Sequence, residues 1–286
     1  METHPPQGPG DWKRQESLRS VLTQVVVVGS LLALAVFFAY RRGVDKQEAT
    51  AAIEQARQLI RLDAPSDLRA ALQILEPALQ SRVRGGDAHA LAARVLAELG
   101  VVHADADAQR QAAVHLAAAA KEDSEVEERF SAQALLAVGA GRAADGVTQM
   151  MALTQTGMRR LDLEYVLARA QLATGRTDLA LATLARAAQI ASGEPRIHAL
   201  HADLLAEVGD LGEAVASYRR ALAGNAQHPS ARLGLALAQA RRSGDPAVID
   251  AAVAALQREG SFSPALAARV EASRTAAASA LAVDVP

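Results

Sequence analysis

The 286-residue chain contains no cysteine. This excludes a disulfide framework, a thiolate nucleophile and a cysteine-based zinc site, and it is compatible with either side of a membrane. Aromatic residues make up only 3 % of the sequence, too few for the stacking platforms that single-stranded nucleic acid requires. Charge of one sign is also lacking: 30 Lys and Arg against 32 Asp and Glu give a formal net charge of −2. No basic field is available for a phosphate backbone, so nucleic acid is not expected as a partner. No glycine-rich phosphate loop follows a strand pattern, and no Ser/His/Asp arrangement is tied together locally. No catalytic residue, cofactor or metal is therefore expected.

Half of the chain is hydrophobic, and 67 of its residues are alanine. Abundant Ala, Leu, Arg, Gln and Glu with few aromatics favours closely packed helices over a β core. The expected fold class is all-α.

Residues 1–20 are polar and rich in Pro and Gly at their start (METHPPQGPG), and read as a short disordered tail. The twenty residues from Val21 to Tyr40 carry no charge. As a helix rising 1.5 Å per residue they span about 30 Å, the thickness of a bilayer's hydrocarbon core. Arg41 and Arg42 end the run, and Tyr40 sits where an interfacial aromatic belongs. A cleaved signal peptide fits less well. The run exceeds a signal core, and Phe37-Phe38-Ala39 places bulky residues where a small-x-small site is needed. Gly29 with Ala33, and Ala35 with Ala39, have the small-xxx-small spacing of close helix contacts. Lys13, Arg14 and Arg19 on one flank match Arg41, Arg42 and Lys46 on the other, so the positive-inside count does not set the orientation.

From residue 46 the chain repeats. Gly141, Gly175 and Gly209 are 34 residues apart, as are Ser66 and Gly100; Gly244 follows Gly209 by 35. Pro195 and Pro229, at junctions between units, are again separated by 34. A fixed period of this length marks a stack of helix hairpins. Ala168 falls on the first helix of one unit, with Ala180, Leu184 and Ala187 on its second; the next unit has Ala202, then Ala214, Tyr218 and Ala221. Helices that cross closely need Ala or Gly at the crossing and a larger side chain beside it. This pattern, small at the eighth and twentieth positions, bulky at the twenty-fourth and small at the twenty-seventh, resembles the tetratricopeptide (TPR) repeat. The resemblance covers residues 47–258 as about six units, the first with helices near Glu48–Leu62 and Asp67–Leu79. The units at 161–191 and 195–224 are the clearest. Gly146 stands where an Ala is usual, and Val101–Asp107 reads as an insertion lengthening one hairpin turn. Asp210 after Gly209 is placed to cap the next helix, and Ser263-Pro264 opens a terminal capping helix. The expected domains are a tail at 1–20, a transmembrane helix at 21–40, a solenoid at 46–258, and a capping helix with a frayed end at 259–286.

The resemblance implies a concave face built from the first helix of each hairpin, which in this family commonly binds an extended peptide or a partner's helix. The matching positions are Asp162, Tyr165, Arg169, Leu172, Arg196, Ala199, Asp203, Glu207, Arg241 and Arg242. The family's carboxylate clamp needs Lys and Asn where this chain has Tyr165 and Arg169, or Ala199 and Asp203, so it is absent.

Other features have plain structural explanations. His198 and His201 lie one helical turn apart in positions that pack between helices, while His89, His103, His115 and His228 show no ligand spacing. Asp105-Ala106-Asp107 lacks the glycine and distant glutamate of a calcium loop. The acidic run Glu122, Asp123, Glu125, Glu127 and Glu128 surrounds a capping box, Ser124-x-x-Glu127. The layout resembles bacterial inner-membrane repeat proteins that accompany translocation or envelope assembly, with the repeat domain in the periplasm. The expected function is a single-pass adaptor that holds a protein or peptide; the alternative is a permanent subunit of a larger membrane complex.

Overall fold

The computed structural model describes residues 11–81, 83–122, 124, 126–155 and 161–283, with side chains from 21 to 276 except at 155. Among the described residues the chain is helical throughout, with no strand. It divides into two units, Met1–Glu48 and Ala49–Pro286.

The first unit is dominated by one helix. α1 spans Asp11–Ile60 and so extends into the second unit. The apolar run lies within it, and its large side chains are solvent-exposed, among them Leu22, Val25, Leu32 and Phe38. In water such a surface is unfavourable by roughly 25 cal/mol per Å²; a bilayer removes the penalty. The helix is long and apolar enough to cross a membrane. Residues 1–10, half of the expected tail, lie outside the described residues, and helix is already present from Asp11.

In the second unit the end of α1 changes character. Ala49, Ile53, Ala56 and Ile60 recur at helical spacing and are buried against Leu68, Ala71, Leu75 and Ala78 of α2 (Pro65–Leu79) within one core. Hairpins follow in order: α3 (Gly85–Val101) with α4 (Ala106–Lys121), α5 (Glu127–Gly139) with α6 (Ala143–Gln155), and α7 (Leu161–Ala173) with α8 (Thr177–Ile190). Then come α9 (Pro195–Glu207) with α10 (Leu211–Gly224), α11 (Pro229–Ser243) with α12 (Ala247–Arg258), and a last helix, α13 (Pro264–Val283). Helix persists to Val283, past the point where fraying was expected. Each first helix packs on the first helix of the next hairpin, from α3 through α5, α7, α9 and α11 to α13. The second helices α4, α6, α8 and α10 bridge to the following hairpin. This is the TPR-type solenoid, with first helices inside the curve.

The punctuation has clear physical causes. Gly141, Gly175, Gly209 and Gly244 adopt φ of +74°, +74°, +91° and +73°, a left-handed conformation that favours glycine, and each reverses the chain after a first helix. Pro195 and Pro229 begin α9 and α11, where a missing N–H costs nothing. Asp210 accepts from the Glu213 N–H at 3.2 Å, and Ser263 accepts from the Leu266 N–H at 3.3 Å.

Three local expectations need correction. Ser66 and Gly100 are not turn residues. Ser66 lies in α2, and the left-handed residue of the first hairpin is Asp63, at φ 55°. Gly100 lies within α3, where a Cβ would come 2.6 Å from the Gln109 Cβ; it permits close approach of α4. The supposed insertion at Val101–Asp107 does not lengthen the turn, which is only Val102–Asp105 with Ala104 left-handed at φ 60°. The additional residues instead extend α3 and α4 to 17 and 16 residues, against 13 or 14 in the following three hairpins. The third correction concerns α5, whose N-cap is Val126, without a side-chain cap. The Ser124 hydroxyl instead donates to Asp87 at 3.0 Å, so no capping box forms. Asp123 and Glu125 of the acidic run lie outside the described residues.

The crossings match the repeat frame. Ala168, Ala180, Ala187, Ala202, Ala214 and Ala221 are completely buried, with Leu184 and Tyr218 filling the space beside them. At Gly146 a Cβ would lie 3.1 Å from the Ala134 carbonyl oxygen, closer than methyl contacts normally allow. Ala180→Leu or Ala214→Leu should therefore overpack a crossing and lower stability by about 1–3 kcal/mol. Ala182→Leu, on the exposed side of α8, should stay within about 0.5 kcal/mol of the parent. Chemical denaturation of the full chain in detergent checks this; equal effects at positions 180 and 182 would refute the register.

Candidate functional site: the inner face of the array

The inner face is built from α3, α5, α7, α9 and α11, and the curve is tight enough for distant hairpins to meet. Arg94 and Glu98, one turn apart on α3, pair at 2.5 Å and are both buried. Arg196, at the start of α9, reaches 3.6 Å from the same Glu98 oxygen and 3.4 Å from Glu194, and also donates to Asp162 on α7. Arg196 also lies over the Tyr165 ring, 5.1 Å from its centroid, while Arg169 lies 5.0 Å from it and donates Nε–H to the phenol oxygen at 2.8 Å. Three carboxylates and three guanidinium groups thus face one another: Arg94, Glu98, Glu194 and Arg196 are buried, Arg169 is half-buried and Asp162 lies at the exposed edge.

The buried members Arg94, Glu98 and Arg196 are tolerated because charges of opposite sign adjoin; removing one partner leaves a buried charge to bear the full desolvation cost. The titration shifts follow from this. Burial would lower the Arg196 pKa, but Asp162, Glu98 and Glu194 together raise it well above the usual guanidinium range. Crowding by neighbouring protein would raise Asp162, half of whose side chain is nonetheless exposed, yet Arg196 and Arg94 hold it below the usual carboxylate value. Burial drives Tyr165 upward despite Arg169 beside it, so its phenol stays neutral.

A second cluster involves the terminal helix. The Tyr218 hydroxyl donates to Asp203 at 2.6 Å, and Arg269 of α13 donates to both Asp203 oxygens, at 2.7 and 3.2 Å. Gly234 lies beneath the Tyr218 ring, where a Cβ would be 2.3 Å from ring carbons. Burial, with Asp203 nearby, raises the Glu207 pKa.

A third cluster sits at the first hairpin turn. Asp63 lies between two histidines, its carboxylate oxygens 3.4 Å from His103 Nε2 and 3.5 Å from His228 Nε2. All three side chains are buried. One residue earlier, the Leu62 carbonyl accepts from Asn225 Nδ2 at 3.0 Å, across 163 residues of sequence. His228 Nδ1 accepts the Ala231 N–H at the start of α11, at 3.4 Å. With Nδ1 accepting, the neutral ring carries its proton on Nε2, which lies 3.5 Å from Asp63 without forming a hydrogen bond. Despite burial, His103 and His228 hold Asp63 well below the ordinary carboxylate range.

Space remains in a cleft of ≈ 560 Å³, whose lining includes Glu54, Arg57, Glu128, Ser131, Leu161 and Asp162. Arg57 spans it, pairing with Glu128 at 2.7 Å and Glu54 at 2.5 Å.

The residues implied by the family resemblance are distributed unevenly over this face. Tyr165, Arg196 and Ala199 are buried, and Arg169, Leu172 and Asp203 are half-buried. Asp162, Glu207, Arg241 and Arg242 remain exposed. Arg241 donates to the Ala206 carbonyl at 3.1 Å, extending a contact from α11 to α9. The curvature brings Asp162, Tyr165, Arg169 and Arg196 together, while Asp203 joins Tyr218 and Arg269.

The remaining candidates have local partners. His198 is buried with Nε2 2.9 Å from the Ser192 carbonyl oxygen, and His201 Nδ1 lies 3.3 Å from the Ser217 hydroxyl. Asp105 caps α4 through the Ala108 N–H at 3.1 Å. Histidines unrelated by sequence spacing are nonetheless paired: His89 and His115 face each other through Nδ1 atoms 2.9 Å apart. Among the described residues no group of three or more His, Asp or Glu is placed to hold a metal.

No protein-family model matches the chain, and no curated protein matches it. Several solved structures do. A thermophilic TPR protein of Thermus thermophilus superposes with a TM-score of 0.52 at 20 % identity, covering 67 % of this chain and 98 % of that one. PilF of Pseudomonas aeruginosa gives 0.46 at 17 %, covering 75 % and 92 %. PilW, a type IV pilus biogenesis factor, gives 0.46 at 20 %, covering 79 % and 98 %. At these identities the likeness concerns the helical arrangement alone, and it agrees with the TPR-type fold described above.

Two predictions follow from the buried charges. Glu98→Ala leaves Arg94 and Arg196 facing each other without their shared carboxylate, and should cost about 3–5 kcal/mol by chemical denaturation; a loss below 1 kcal/mol would contradict the pairing. The second concerns pH. Burial lowers the pKa of His115, His198, His201 and His228 below the ordinary 6.5. The unfolded chain therefore takes up protons that the native state refuses, and the stabilisation is complete above about pH 6.5 and lost as pH falls through the lowered values. Asp63, also lowered, adds a loss of the same sign below the ordinary carboxylate value of 3.8. The melting temperature should fall between about pH 7.5 and 5.5; a constant or rising value would contradict the burial of these rings.

Proposed function

We propose that this protein is a membrane-anchored TPR adaptor, holding a protein or peptide partner on the inner face and rim of its repeat array. The supporting observation is the pairing, in one chain, of a fully exposed apolar helix segment at Val21–Tyr40 with a solenoid carrying mixed charge along its inner helices. The segment inserts in a bilayer as a single pass. The array is placed at the bacterial inner membrane, on the periplasmic side, where it serves translocation or envelope assembly. Confinement at the membrane raises the local concentration of other membrane components, so modest contacts suffice. Asp162, Glu207, Arg241 and Arg242 are the docking residues accessible at the surface, with Tyr165, Arg169, Leu172, Arg196, Ala199 and Asp203 behind them. We assign no catalytic role.

A second reading, a permanent subunit of a larger complex, is favoured by apolar side chains on the outer helices. Val114 of α4 is 70 % exposed, and Ile190 of α8 is 65 % exposed. Photocrosslinkers at Glu207 and Arg241, against Val114 and Ile190, separate the two readings in native membranes. The adaptor predicts crosslinks to a defined partner from Glu207 and Arg241, lost at high salt; a salt-resistant complex crosslinked chiefly from Val114 and Ile190 would overturn it. A reporter fused after Pro286 should be active only outside the cytoplasm; activity of a cytoplasm-only reporter there would reverse the orientation.

A further inference from the structure

The third cluster has the construction of a binding site whose occupant belongs to the same chain. Asn225 and His228 flank the α10–α11 junction, and His103 lies in the α3–α4 turn. What they face is the α1–α2 turn: Asn225 donates to the Leu62 carbonyl, and His103 and His228 lie 3.4 and 3.5 Å from the Asp63 carboxylate. Neighbouring hairpins of a solenoid are held together by the repeat frame. This contact joins the first hairpin to the junction of the fifth and sixth, which the frame does not require. Other ties run the same way: Arg57 to Glu128 on α5, and Arg61 to Glu194 before α9 at 3.7 Å. Asp63 takes up this position in a left-handed conformation, unfavourable for most residues and tolerated by Asp and Asn. At the other end of the array, Arg269 of α13 closes on Asp203.

We propose that the Leu62–Asp63 turn is an internal latch: it closes the curved array on itself, covers the inner face, and must be withdrawn before a partner can reach Tyr165, Arg196 and Ser131. The contacts suit a reversible closure. At the turn they are polar, joined by the ion pairs of Arg57 and Arg61, and opposed by the cost of burying Asp63. Opening also draws Ile53, Ala56 and Ile60 away from the core they share with Leu91, Leu135 and Leu163, and this sets the cost of opening. The inference builds on the inner face as docking surface, but its test needs no partner, so closure and docking can fail independently.

The chain's lack of cysteine makes thiol accessibility a clean probe. Ser131→Cys places a thiol at a residue 1 % exposed that lines the cleft beside α1. Ala180→Cys places one at a completely buried helix crossing that the latch does not cover. Both are introduced singly into the full chain in detergent, and maleimide labelling rates are compared with the latch intact and broken. Asn225→Ala removes the donor to Leu62; Asp63→Asn removes the charge while keeping a residue that accepts φ > 0. Breaking the latch should speed labelling at position 131 at least tenfold and leave position 180 unchanged. Unchanged labelling at 131 would overturn the proposal, and so would equal acceleration at both sites, which indicates general loosening. Should Asp63→Asn fail to fold, Asn225→Ala alone decides between these outcomes.

Discussion

The structure depends on how closely successive helices approach. Ala180 and Ala214 are completely buried at their crossings, and at Gly146 even a Cβ would crowd the Ala134 carbonyl. Close approach at every crossing, repeated at a fixed period, gives each hairpin nearly the same rotation relative to the last. The accumulated rotation brings α3 within reach of α9, and the first turn within reach of the fifth hairpin. A polar inner face is the consequence. The first helices present Arg94, Glu98, Asp162 and Arg196 towards one another, and tight curvature buries Arg94, Glu98 and Arg196 with Asp162 at the exposed edge, where a wider curve would leave a wet groove.

That network explains why the inner face suits recognition and why much of it is hidden. Ionic groups in a low-dielectric setting discriminate strongly between partners, because a mismatched ligand leaves charges unpaired. The same property makes the face costly to expose, so an internal substitute for the ligand is physically reasonable. The Leu62–Asp63 turn supplies a carbonyl and a carboxylate at the point where the array meets itself. The chain joins an exposed apolar segment of α1, long enough to cross a bilayer, to an array whose inner face is polar.

The repeat could be read from the sequence because it is a local property. Gly141, Gly175 and Gly209 mark turns by a backbone requirement only glycine meets easily, and Ala168, Ala180 and Ala187 mark crossings by size. The reading failed where the rule is local but its exception is not. Gly100 kept the 34-residue spacing from Ser66 while serving close packing against Gln109, so the turns of the first two hairpins passed to Asp63 and Ala104. The inner network was less legible still. The family resemblance implied that Asp162, Tyr165, Arg169 and Arg196 lie on that face, but neither it nor the periodicity reports curvature. The pairing of Asp63 with His103 and His228 joins residues 40 and 165 positions apart, and no motif links them. Composition offered one faint signal: Asp63 precedes Ala-Pro, a setting for a sharp reversal before a helix.

The central claim is that the array is curved to closure, and it is tested most directly by a distance. Spin labels at Ser66→Cys and Gln227→Cys, both exposed, sit on either side of the point where the first hairpin meets the α10–α11 junction. Double electron–electron resonance on the full-length protein in lipid nanodiscs should give a short, narrow distribution. A broad distribution centred on long separations, as in an open superhelix, would contradict the account.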